Sequence, residues 1–74
     1  MEFKDILNGI MIRHGLSKTA LSVYLGCPVQ TAHKWLSGDR QPSAAVLRLV
    51  DVLLTIETLA PEIHNHLLPD KRKG

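Results

Sequence analysis

The chain has 74 residues, enough for one domain near the lower size limit of chains that fold on a hydrophobic core alone, and too few for a catalytic cleft beside a separate substrate domain. Apolar residues make up 45% of it, with a single Phe, a single Trp and a single Tyr, a composition that excludes disorder and favours a compact helical core. A net charge of +2 is compatible with a polyanionic partner without requiring one.

Residues 2 to 14 read as an amphipathic helix, because Phe3, Ile6, Leu7, Ile10, Met11 and His14 share one face. Gly9 in its interior costs about 1 kcal/mol relative to alanine, so this helix leans on tertiary packing. The acids Glu2 and Asp5 and the lack of an unbroken apolar core argue against a secretory signal here. Gly15 ends the helix, and Ser17 stands where an N-cap belongs, between Leu16 and Leu21 in the places of a hydrophobic staple. The second helix is then expected from Lys18 to Leu25, stopped by Gly26 in the left-handed role.

Cys27 is the lone cysteine and has no internal disulfide partner, which gives no sign of an oxidising compartment. Pro28 suits a first helical turn, so a third helix is expected from Pro28 to about Ser37, with Cys27 as a poor N-cap and Gly38 closing it. Only about three residues join the second and third helices, which forces a steep crossing of fixed angle. Ser43, after Pro42, caps a fourth helix running to about Thr58, before Pro61. The apolar run from Ala44 to Ala60 contains Arg48, Asp51 and Glu57, too charged and too short to span a bilayer. A short fifth helix fits Glu62 to Leu68, and the end of the chain, PDKRKG, reads as frayed. The expected organisation is one domain over residues 1–69, with a C-terminal dimerisation segment, and a basic tail over 70–74. No β pattern and no internal repeat competes. The expectation is an all-α, cytoplasmic, non-membrane protein.

Two helices joined by a tight glycine turn, with apolar residues between them, are the ingredients of a helix-turn-helix. The stretch LSKTALSVYLGCPVQTAHKWLSGDRQPS, residues 16 to 43, resembles that of the Cro/C1-type repressors (the xenobiotic-response-element-like regulators). The resemblance rests on Leu16, Leu21, Leu25-Gly26, Ala32, Trp35, Gly38 and Pro42-Ser43. Ser22 departs from the family's usual alanine at the close helix contact, Ala32 from its usual Val or Ile, Lys18 from its common glutamine, and Pro28 from a frequent serine cap. The resemblance implies a five-helix bundle of lambda-repressor-like type.

Ala32 and Trp35 face inward on the third helix, with Val29 partly so, leaving Gln30, Thr31, His33 and Lys34 outward. An α-helix fits the major groove of B-DNA, where its N-terminal residues meet base edges. By resemblance, base reading falls to Val29, Gln30, His33 and Lys34. Gln30 can pair with adenine, Lys34 with guanine, and Val29 can touch a thymine methyl. Phosphate contacts fall to Lys18, Thr31, Ser37 and Arg40. From Arg13 to Arg40 the basic residues are Arg13, Lys18, Lys34 and Arg40, against Asp39 as the only acid, so positive charge gathers where such a reading needs it.

Other signals are weaker. His64 and His66 form an H-x-H, but on a short helix their rings lie on different faces and no cluster completes a ligand set, so no metal site is expected. No catalytic constellation stands out, so neither an enzyme nor a cofactor is expected. The fourth helix is apolar nearly all round: Leu47, Val50 and Leu54 suffice to cover the helix-turn-helix, and Val46, Leu49, Val52, Leu53 and Ile56 occupy much of the rest. A homodimer is therefore expected through this helix, at Val46, Leu49, Leu53 and Ile56, and through the segment Leu59 to Leu68. The expected function is a dimeric, sequence-specific repressor acting on double-stranded DNA at an inverted repeat, with repression inferred from a chain too small for a sensing domain. The alternative is an antitoxin covering a toxin, or a helix-turn-helix used only for protein contact.

Overall fold

Five helices follow one another in the computed structural model, which describes residues 2–69: α1 Phe3–His14, α2 Lys18–Leu25, α3 Val29–Ser37, α4 Ala44–Leu59 and α5 Pro61–Asn65. Among the described residues there is no strand, and no helix is long and apolar enough to cross a membrane. The basic tail expected at 70–74 lies outside the described residues.

Local chemistry sets the boundaries. Ser17 Oγ accepts from the Ala20 N–H at 3.1 Å and Ser43 Oγ from the Val46 N–H at 3.3 Å, so α2 and α4 begin on true side-chain caps. Gly26 and Gly38 have φ of 71° and 83°, a region that costs glycine nothing. Each closes its helix in the same way. The Cys27 N–H reaches back to the Ser22 carbonyl and the Asp39 N–H to the Lys34 carbonyl, both at 3.0 Å.

The start of α3 differs from the expectation. Pro28 is the N-cap itself, with φ −61° and ψ 146°, and Cys27 completes the end of α2 instead. The Pro28 carbonyl accepts from Thr31 and Ala32, and no side chain caps the helix. The fifth helix is shorter than expected, because after Asn65 the chain tightens: His66 and Leu67 donate to carbonyls only three residues back.

The core gathers one face from each of the first four helices. Leu7 and Ile10 of α1, Leu21 of α2 and Ala32 of α3 keep at most 1% of their surface exposed, and Val50 and Leu53 of α4 are buried over them. Trp35 packs edge-on against Phe3, with ring centroids 5.8 Å apart at 88°. Ser22 is buried at the α2 contact surface, and its hydroxyl donates to the Thr19 carbonyl of its own helix at 2.6 Å. A serine there therefore leaves no polar group unpaired.

The inward arc of α4 departs from the expected one. Val50 and Leu53 are buried and Val46 and Leu54 pack against the same core, a 46-50-53-54 spacing that follows one helical face. Leu47, expected inside, is 48% exposed. Leu53, expected on the outer surface, belongs to the core of its own chain.

A polar network closes the other end of the bundle. His64, 1% exposed, is the buried residue of α5, and its Nε2 lies 2.6 Å from the hydroxyl of Tyr24 on α2. Beside it, Glu57 of α4 accepts from Arg13 at 3.0 Å and pairs with His14 Nε2, both on α1. Partial burial pushes the Glu57 carboxyl up, but the hydrogen bonds and charges of Arg13 and His14 outweigh it and hold it below the ordinary range. Burial, reinforced by the Glu57 charge, pushes the Tyr24 phenol up. Among the described residues no buried side-chain polar atom lacks a partner.

Candidate nucleic-acid interface

Helix α3 divides cleanly by side. Ala32 and Trp35 are buried, while Val29, Gln30, His33, Lys34 and Ser37 are exposed and Thr31 is half-buried. Of the outward set predicted from spacing, Gln30, His33 and Lys34 are outward, Thr31 is only half so, and Val29, predicted partly inward, is exposed.

Two open clefts flank the helix. One, of about 430 Å³, runs between α1, α2 and the far end of α3, and brings together Lys18, His33, Lys34 and Ser37 with Asn8, Leu36 and Asp39. The other, of about 350 Å³, lies toward the start of α4 and gathers Thr31 and Arg40 with Trp35, Gln41, Pro42, Ser43 and Val46. Val29 and Gln30 line neither and stand at the exposed first turn. The eight predicted contact residues therefore fall on one helix and its two flanks.

Lys4 and Asn8 belong to the same region although the sequence pattern does not single them out. Asn8 lines the first cleft. Lys4 lies along the end of α3, its chain 3.9 Å from where a Cβ on Gly38 would stand, and shares a small recess with Arg40. Both sit on α1, whose packing beside α3 is a tertiary fact with no signature in the α1 sequence.

Among the described residues Lys4, Lys18, Lys34 and Arg40 form no ion pair; the pairs present are Arg13–Glu57, His14–Glu57 and the exposed Arg48–Asp51. Cations without protein counterions retain their charge for an external anion. Asp39 shares the cleft of Lys18 and Lys34 and is also unpaired among the described residues. Burial pushes the Cys27 thiol up, which suits a packed turn residue and not a thiolate nucleophile.

The expected dimer residues separate. Leu49 is exposed, Val46 and Ile56 are half-buried, and Leu53 is in the core. The large apolar residues exposed on α4 are Leu47, Leu49, Val52 and Leu59; of these Leu49, Val52 and Leu59 fall with half-buried Ile56 on one helical stripe, and α5 adds Ile63 at 61% exposure.

Compared with family models, with curated proteins and with solved structures, the chain matches none. The fold in hand is a compact all-α bundle of five helices, consistent with a small helix-turn-helix type.

Proposed function

We propose that the chain is a sequence-specific DNA-binding transcriptional regulator of the Cro/C1 type, a homodimeric repressor that presents α3 to the major groove. The observation that carries this is the outward face of α3: hydrogen-bonding side chains on a helix with no capping side chain, flanked by cations that have no protein counterion among the described residues. Gln30, His33 and Lys34 supply donors and acceptors for base edges, and Val29 supplies an apolar contact. Lys4, Lys18, Thr31, Ser37 and Arg40 surround them at phosphate positions, with Asn8 beside Lys18. The second copy covers the α4–α5 stripe and sets two recognition helices about 34 Å apart, for half-site centres roughly 10 bp apart.

Selection of bound sequences from a random duplex pool, at stated salt, tests this directly. An inverted repeat is expected. On the selected site, Gln30→Ala or Lys34→Ala should cost about 1–3 kcal/mol and relax preference at one position per half-site. Lys18→Ala or Arg40→Ala should weaken all sequences alike and reduce the salt slope by about one. Wild-type affinity and selectivity in both α3 variants would overturn the assignment.

Asp39 opposes its neighbours. Removing its charge with Asp39→Asn should tighten binding several-fold on specific and random duplexes at low salt, with the gain shrinking as salt rises. Fluorescence anisotropy across a salt series measures it. Weaker binding at every salt would mean that Asp39 orients Lys18 or Lys34.

A further inference from the structure

We propose that His14, Glu57 and His64 form a binding site for a divalent transition-metal ion of the zinc class, independent of the DNA surface. The three residues come from α1, α4 and α5, and each offers one ligand atom within 4.8 Å of the other two. Zinc bonds of about 2.0–2.1 Å set tetrahedral ligand atoms about 3.3 Å apart, so the site closes on the ion by side-chain movements of roughly 1.5 Å or less. Two imidazoles and one carboxylate are a donor set that zinc uses when it keeps a fourth position for water.

The surroundings suit an ion. His64 is 1% exposed and forms the inner wall, while the side chains of His14 and Glu57 keep 17% and 21% exposure and leave an approach from solvent. Glu57 Oε1 accepts from Arg13 Nη2 at 3.0 Å, while Oε2 faces His14 and takes a longer contact of 3.4 Å from Arg13 Nε. The ion takes the place of the proton between His14 Nε2 and Glu57 Oε2 and displaces the long Arg13 Nε contact there, while Arg13 Nη2 stays on Oε1 as an orienting hydrogen bond. Tyr24 acts likewise on His64, its hydroxyl fixing the imidazole from 2.6 Å. The H-x-H at His64 and His66 is not the pair involved, since His66 is exposed. The partners of His64 are instead 50 and 7 positions back in the chain.

A bound ion would tie α1, α4 and α5 together at the end of the bundle where the apolar stripe lies. The test uses the untagged, chelator-stripped chain, titrated with zinc by calorimetry and with cobalt(II) by visible absorption. One ion per chain is expected, with a zinc dissociation constant on the order of 1 µM or tighter and the intense absorption of four-coordinate cobalt. At a hundredfold excess over that constant, the thermal midpoint should rise on the order of 10 °C. His14→Gln and Glu57→Gln should each weaken zinc at least about tenfold with helicity kept, and Tyr24→Phe by about 10–100-fold. His33→Ala and His66→Ala should leave zinc binding unchanged. Absence of zinc binding by the folded wild-type chain below about 100 µM, or binding that survives Glu57→Gln and is lost in His66→Ala or His33→Ala, would overturn the site.

Discussion

Leu53→Asp is expected to leave the chain largely unfolded at 25 °C. Leu53 is 8% exposed and packs with Val50 over the residues of α1 and α2. Removing a leucine from a packed core costs about 2–5 kcal/mol. An unpaired carboxylate in its place adds several kcal/mol more, or is neutralised at a similar cost. Against a total stability of roughly 4–11 kcal/mol for a domain of this length, that loss removes most or all of the reserve. Far-UV circular dichroism and urea titration measure it. A cooperative transition at the wild-type midpoint would put Leu53 outside the core.

Val52→Asp, one residue earlier, should do something different. Val52 is 41% exposed on the stripe it shares with Leu49, Ile56 and Leu59, so the charge stays in water and monomer stability changes by only about 0.5 kcal/mol. In the proposed dimer the same charge, at the centre of a two-fold contact, meets its own copy. Sedimentation should show monomers with helicity kept, where the wild type is expected as a dimer at tens of micromolar. Affinity for an inverted repeat should fall by about 10²–10⁴, because the two half-sites no longer bind as one linked unit. A wild-type chain that sediments as a monomer, or selected sites without two-fold symmetry, would remove the dimer from the proposal.

The contrast between positions 52 and 53 shows where the sequence runs out. Ser17, Gly26, Gly38 and Ser43 declare their roles locally, through cap hydrogen bonds and left-handed backbone, and the boundaries of α2 and α4 follow from them. The sides of α3 are equally legible, because two apolar anchors contrast with polar neighbours. Helix α4 carries apolar residues on nearly every side, so its pattern has no preferred direction and cannot say that Leu53 turns in and Leu47 turns out. Pro28 satisfies the geometry of an N-cap and of a first turn alike, and the hydrogen bond from Cys27 back to Ser22 decides between them. The convergence of His14, Glu57 and His64, and the approach of Lys4 and Asn8 to α3, depend on how separate helices pack, which no local spacing encodes.

The two-sided construction of α3 separates what must be kept from what is at liberty to drift. Ala32 and Trp35 fix its seat, while the glycine turn before it and Gly38 after it fix its direction. Val29, Gln30, His33 and Lys34 bear almost none of that burden. Substitutions at these four positions cross sequence space at nearly constant stability, so if α3 reads DNA as proposed, descendants of this chain can acquire new targets by point changes alone. Changes at Ala32 meet the opposite fate, because a larger side chain there pries α3 from α2. Such a scaffold diversifies by its outer residues and is purged at its inner ones.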